Sequence, residues 1–193
     1  HTSTLISNLF ILFSLRRILS LKNKKNIKKK LLDATFWICI ATLFDSFSIF
    51  FFLPLFISLV LYSVFEIRNV LIPFCGLLVF GTLWVVFGLV VHDHILDISK
   101  YLPIISFEAQ NLTLQKNTLF SLFIATVLLC GITNYFLMNS SKNRLNKSSM
   151  VLLMLIIVVS FTASLFSQSE SKETYIFIVA PSAILMANFS ETT

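Results

Sequence analysis

Apolar residues fall into seven blocks, at residues 5–15, 34–44, 49–65, 70–91, 119–138, 150–166 and 175–189, parted by short polar or charged segments. An α-helix rises about 1.5 Å per residue and needs about 20 apolar residues to cross the hydrocarbon core of a bilayer. Block 70–91 meets that length. Block 5–15 stops at Arg16 and Arg17, which reads as the end of a span that starts upstream; block 175–189 stops as abruptly at Glu191, so the chain reads as a fragment cut on both sides. The pattern predicts an all-α fold: a polytopic transmembrane helical bundle of about seven membrane segments, forming one membrane domain over residues 1–193.

Within that pattern, Asp45-Ser46-Phe47-Ser48 interrupts two apolar blocks and predicts a tight helical hairpin with its tip at Asp45. The arm at 34–44 is too short to span comfortably, so it is expected to be tilted, re-entrant or supported by neighbours. A basic loop is predicted at 16–33, a short turn at Glu66 and Arg68, an external loop at 92–118, and a second basic loop around Lys142, Arg144 and Lys147. Assigning loops to alternate sides puts eight Lys/Arg of residues 16–30, Arg68 and the three of 142–147 on one side, and Lys100, Lys116 and Lys172 on the other. That imbalance is what the positive-inside rule requires, so the basic loops are expected to face the cytoplasm.

Composition strengthens the case. Hydrophobic residues make up 56% and charged residues 12% of the chain, against about 45–50% and about 25% in an average soluble domain. The twenty-one Phe are spread through the blocks, which points to spans and not to one oily patch. Cys39, Cys75 and Cys130 all lie inside apolar blocks and form no C-x-x-C; they read as small buried hydrophobes and identify no redox compartment.

Three features carry candidate chemistry. Arg16, Arg17, Lys24, Lys25, Lys28, Lys29 and Lys30 flank a predicted span, where topology and anionic lipid headgroups explain them better than nucleic acid. Ile27, Leu31 and Leu32 among the lysines would let a short interfacial helix lie on the membrane. His92, Asp93, His94 and Asp97 bring together imidazole and carboxylate, but residues two apart on a helix project to nearly opposite sides, so no metal site is expected. Asp45 is an ionisable group between apolar arms: at the outer interface it is merely solvated, and below the headgroups it would accept a proton or contact a polar substrate. No P-loop, G-x-G-x-x-G, H-E-x-x-H or G-x-S-x-G occurs, so no cofactor and no common hydrolase site is expected.

The stretches Ser14-Leu15-Arg16-Arg17-Ile18-Leu19-Ser20-Leu21, residues 24–37, and Ile67-Arg68-Asn69-Val70-Leu71-Ile72-Pro73 resemble an uncharacterised multi-pass inner-membrane protein family of Bacteroidetes. The likeness covers roughly residues 8–90 and implies a bacterial inner-membrane location and topology, with no catalytic residues. The order of basic loop, short hairpin, charged turn and long span is also similar to membrane glycosyltransferases that use polyprenyl-phosphate sugar donors, a likeness of pattern alone. These readings converge on a membrane protein of unknown activity, a subunit or scaffold of a cell-envelope assembly with lipids and other membrane subunits as partners. A lipid-linked sugar transferase is the alternative, and a transporter a third.

Overall fold

The computed structural model describes residues 2–92, 125–127, 129, 131–132, 144–166 and 176–192. Its long helices are α1 (Thr2–Ser20), α2 (Ile27–Phe44), α3 (Phe52–Leu61), α4 (Ile67–His92), α5 (Arg144–Phe166) and α6 (Ile176–Thr192). Two 3₁₀ segments, Leu21–Asn23 and Ser46–Phe51, follow α1 and precede α3. No strand occurs among the described residues. The chain divides into two compact units, His1–Ile104 and Ile105–Thr193.

The first unit is built on an antiparallel α1–α2 hairpin. Ser7, Ile11, Ser14 and Ile18 are buried on α1, and Leu31, Ala34, Ile38 and Ala41 on α2. Each set steps by three and four residues, which keeps one face toward the partner helix. The small members, Ser7 and Ser14 against Ala34 and Ala41, let the two backbones approach closely. Hence side-chain hydroxyls reach across to the opposite backbone: Ser7 Oγ donates to the Ala41 carbonyl at 3.0 Å and Ser3 Oγ to that of Phe44 at 2.6 Å. At the other end of the seam, Lys30 Nζ donates to the Ser20 carbonyl at 2.5 Å. Phe10 and Phe13 stack and tilt against Trp37, with ring centroids 5.6 and 5.1 Å apart, and close the flank.

The chain reverses between α1 and α2 through Lys24 and Asn26, at φ 50° and 52°. Asn enters the left-handed region at little expense, whereas a Lys there is uncommon; the Lys24 N–H closes the turn on the Leu21 carbonyl at 2.9 Å. Charged residues occupy more helix than the sequence pattern suggests. Arg16 and Arg17 lie within α1, so that helix does not stop at residue 15. Lys28, Lys29 and Lys30 lie within α2, which lengthens the expected short arm at 34–44 to 18 residues. No separate interfacial helix forms, because Leu31 is fully buried in the α1–α2 seam and ties its turn to the rest of α2. The basic loop expected over 16–33 narrows to the break at residues 24–26.

Helix α4 runs parallel to α2. A Cβ placed on Gly76 would lie 2.9 Å from Thr35 Cγ2, and one residue further along α2 and one turn further along α4, Phe36 and Phe80 meet edge to face at 6.2 Å. Thr35 is held by its own hydroxyl, which donates to the Leu31 carbonyl at 2.8 Å. Returning between them, α3 sets Phe56 against Phe74 at 5.8 Å. Helix α2 is about 27 Å long at about 1.5 Å per residue. Residues 46–61 reach about the same length, since a 3₁₀ segment rises about 2 Å per residue.

Two helices are long and apolar enough to cross a membrane, Thr2–Asn23 and Ile67–Val90. In the second of these only 11% of the most apolar window is buried. Its buried positions, Asn69, Pro73, Gly76 and Gly88, form one narrow stripe, while Leu71, Phe74, Leu78, Leu83 and Phe87 are exposed around the rest of the helix.

In the second unit α5 packs on α6, with Leu152, Leu153, Ile156 and Ile157 buried on one and Phe177, Ile178 and Leu185 on the other. Gly131, in a helical segment, is within this core: its Cβ would lie 2.6 Å from Met154 Cε and 3.1 Å from Leu185 Cδ1. Most of the block at 119–138 lies outside the described residues, as does the loop from residue 93 to 118.

Two of the three glycines of α4, Gly76 and Gly81, give opposed expectations. Gly76→Val drives two methyl groups into Thr35 and should destabilise the first unit by about 1–3 kcal/mol. At Gly81 a Cβ meets nothing within 4 Å, so Gly81→Ala should be neutral or stabilise by up to about 1 kcal/mol through helix propensity. Thermal unfolding of the detergent-solubilised variants compares them directly.

Candidate functional site

The first unit gathers its polar groups at its two ends. At one end are the turn between α1 and α2 and the start of α4; at the other are Asp45 and the end of α4. This follows from the parallel course of α2 and α4 and the antiparallel course of α1 and α3 about them.

At the basic end, Arg16, Lys24, Lys25, Lys28 and Lys29 are exposed. Arg17 pairs with Asp33 at 3.2 Å, both side chains being substantially exposed, so the pair adds little stability. Lys30 is spent on the Ser20 carbonyl. The cluster named from sequence is therefore brought together, but two of its members serve the turn and five remain free to meet an anionic surface.

Asp45 is the junction at the opposite end. It is the C-cap of α2 and the N-cap of the 3₁₀ segment, with extended backbone at φ −146° and ψ 114°. Its N–H keeps the helical bond to the Ala41 carbonyl at 3.0 Å, and its own carbonyl accepts from Ser48 N–H at 3.0 Å. Oδ1 accepts from Phe47 N–H at 3.1 Å, the side-chain-to-backbone bond that favours Asp at such a start. Oδ2 is buried with no hydrogen-bond partner. The neighbouring hydroxyls are committed elsewhere: Ser3 to Phe44, Ser7 to Ala41, and Ser7 and Ser48 to each other at 2.7 Å. Asn8 Oδ1 and Ser14 Oγ are also buried oxygens without a partner.

Asp45 is thus at a helix junction, as the sequence predicts, but its carboxyl is half-buried instead of simply solvated. That burial pushes its pKa above the ordinary carboxylate value, and the Phe47 N–H opposes the shift only in part. The Ser3, Ser7 and Ser48 network was not anticipated from the sequence. Its one signal is that Ser7 falls on the three-and-four stripe of α1, where a buried hydroxyl gains from a partner; Ser14, on the same stripe, is buried with its Oγ unpaired.

An open apolar groove of about 590 Å³ runs between α2 and α4, lined chiefly by Phe36, Leu43, Phe80, Leu83, Trp84 and Phe87. It has almost no polar lining and holds no catalytic constellation. His92 is the last residue of α4; Asp93, His94 and Asp97 lie outside the described residues. Among the described residues no group of three or more His, Cys, Asp or Glu is placed to hold a metal ion. Protein-family models, curated proteins and solved structures show no match to this chain.

The Asp45 carboxyl yields a signed expectation. Its folded-state pKa is raised, so its favourable contribution is present below the unfolded pKa and is lost as pH rises through the folded one. Asp45→Asn, which cannot ionise, should match the wild type in thermal stability at low pH and exceed it increasingly on going to neutral pH. Melting curves across that range would refute the assignment if the two proteins kept a constant offset.

Proposed function

We propose that the chain belongs to a polytopic α-helical protein of the bacterial inner membrane, where it acts as a subunit or scaffold of a cell-envelope assembly. The observation that carries the membrane reading is α4. A helix apolar on every side is ordinarily either buried in a large core or embedded in lipid, and only 11% of the most apolar window of Ile67–Val90 is buried. In water its exposed face would form an apolar surface far beyond what soluble monomers present; in lipid it has no such penalty.

The other helices of the first unit support the same reading. Helix α2 and residues 46–61 each approach the roughly 30 Å of a hydrocarbon core. Lysines in the first turn of α2 can extend their ammonium groups to the headgroups while their methylenes stay apolar. Ser7, Ser14, Ala34, Ala41 and Gly76 at the helix contacts suit a medium in which close backbone approach, and not the hydrophobic effect, brings helices together. The exposed basic end fits the cytoplasmic leaflet, with anionic lipids as its partner. The resemblance to the Bacteroidetes inner-membrane family agrees with that location. The subunit role rests on an α4 face wide enough to receive neighbouring helices.

Orientation is tested by single cysteines in a background where Cys39, Cys75 and Cys130 are replaced by Ala. Cysteines at Lys25 and Asn143 should resist a membrane-impermeant thiol reagent in intact cells, and one at Gln110 should react. The reverse pattern would overturn the sidedness, and equal reactivity at all three in a soluble fraction would overturn the membrane reading itself.

A further inference from the structure

Asp45 stands alone in a long uncharged stretch. No charged residue occurs at positions 2–15 of α1, at 34–44 of α2, or anywhere in residues 46–61. Titratable and charged groups on or next to the surrounding elements are few: the buried Cys39 thiol on α2, with Asp33 far along the same helix and paired to Arg17, His1, which precedes α1 in the sequence, and His92 at the end of α4. No cation on α1, α2 or α3 is placed to hold an Asp45 carboxylate.

Asp45 is also the single non-helical residue between Ile27 and Leu61. It joins two rods, α2 and the continuous 3₁₀–α3 segment, and extended backbone at one position lets them swing without breaking either helical ladder. The contacts that fix the joint are polar and lie around the carboxyl: the Phe47 N–H on Oδ1, the Ser48 N–H on the Asp45 carbonyl, and the Ser7–Ser48 hydroxyl pair to α1. Oδ2 is shut away from water with nothing donating to it. A neutral carboxyl tolerates that position; an ionised one is left with a single backbone donor, and a buried charge so poorly paired is driven toward water.

We propose that Asp45 is a proton-operated latch: protonated, it keeps the hinge between α2 and the 3₁₀ segment closed on α1, and ionised, it draws the junction out to water. Loss of the proton to solvent leaves a carboxylate whose hydration requires Oδ2 to become exposed, and the joint opens at Ser48. The device is independent of whichever activity the assembly performs. Ser48 reports it, since it is fully buried in the closed form and sits on the 3₁₀ segment.

The test uses the full chain in sealed lipid vesicles, with Cys39, Cys75 and Cys130 replaced by Ala and with Ser48→Cys as the probe. Labelling by a water-soluble thiol reagent is followed from pH 5 to 8 in this protein and in the same protein carrying Asp45→Asn, whose profile removes the ordinary pH dependence of thiol chemistry. The ratio of the two rates should rise as pH rises through the folded-state pKa of Asp45, and should do so equally when His92→Ala is added. A ratio that stays flat overturns the latch. Infrared difference spectra supply a second reading that does not depend on the probe: the wild type should show a protonated carboxyl band that fades as pH rises and that Asp45→Asn lacks. Absence of that band would equally overturn the proposal. Retention of the protein by carbonate-washed vesicles is scored separately, so loss of the membrane reading is distinguishable from loss of the latch.

Discussion

The close approach of α2 to its neighbours on both sides is the constraint on which the first unit depends. Ala34 and Ala41 admit α1, and Thr35, one position round the helix from Ala34, admits α4 at Gly76. Because these contacts are made by small residues, the helices touch backbone to backbone, and serine hydroxyls can bond to carbonyls of the opposite helix. The bulky side chains are then displaced to the flanks, where Phe10, Phe13, Trp37, Phe36 and Phe80 stack. Enlarging any of the small residues pushes apart two helices at once.

From that arrangement follows the distribution of polar groups. With α1 and α3 antiparallel to α2 and α4 parallel to it, every connection of the first unit falls at one of two ends. One end collects the basic residues and the other collects Asp45 and the end of α4. Between them the surface is apolar, broken chiefly by hydroxyls turned back onto their own helix, such as Thr82 on Val79 and Thr42 on Cys39. Such back-bonding satisfies a donor without water, which suits either a protein core or a bilayer.

Much of the fold is legible in the sequence, and the parts that are not have physical causes. Block 70–91 is apolar throughout and becomes α4 with little change of boundary. Blocks 150–166 and 175–189 lie within or largely overlap α5 and α6. Helices α1 and α2 run past the apolar blocks because hydropathy marks where apolar residues stop, not where helical hydrogen bonds stop. Arginine and lysine are good helix formers, and Arg17, Asp33 and Lys30 find partners across the seam without leaving their helices. At Asp45 the break in the pattern was plain, but its burial was not, since that depends on Ser3 and Ser7 of a helix forty residues earlier in the chain.

The central claim is that the broad face of α4 is bathed in hydrocarbon, and Trp84 on that helix is the reporter that tests it most directly. With Trp37→Phe, Trp84 is the chain's single tryptophan. The protein is reconstituted into bilayers whose acyl chains carry bromine at successive depths, and Trp84 fluorescence is recorded. The account predicts strong quenching with a maximum inside the hydrocarbon region. Trp84 emission unaffected by bromine at any depth, from protein that still fractionates with the bilayer, would contradict it.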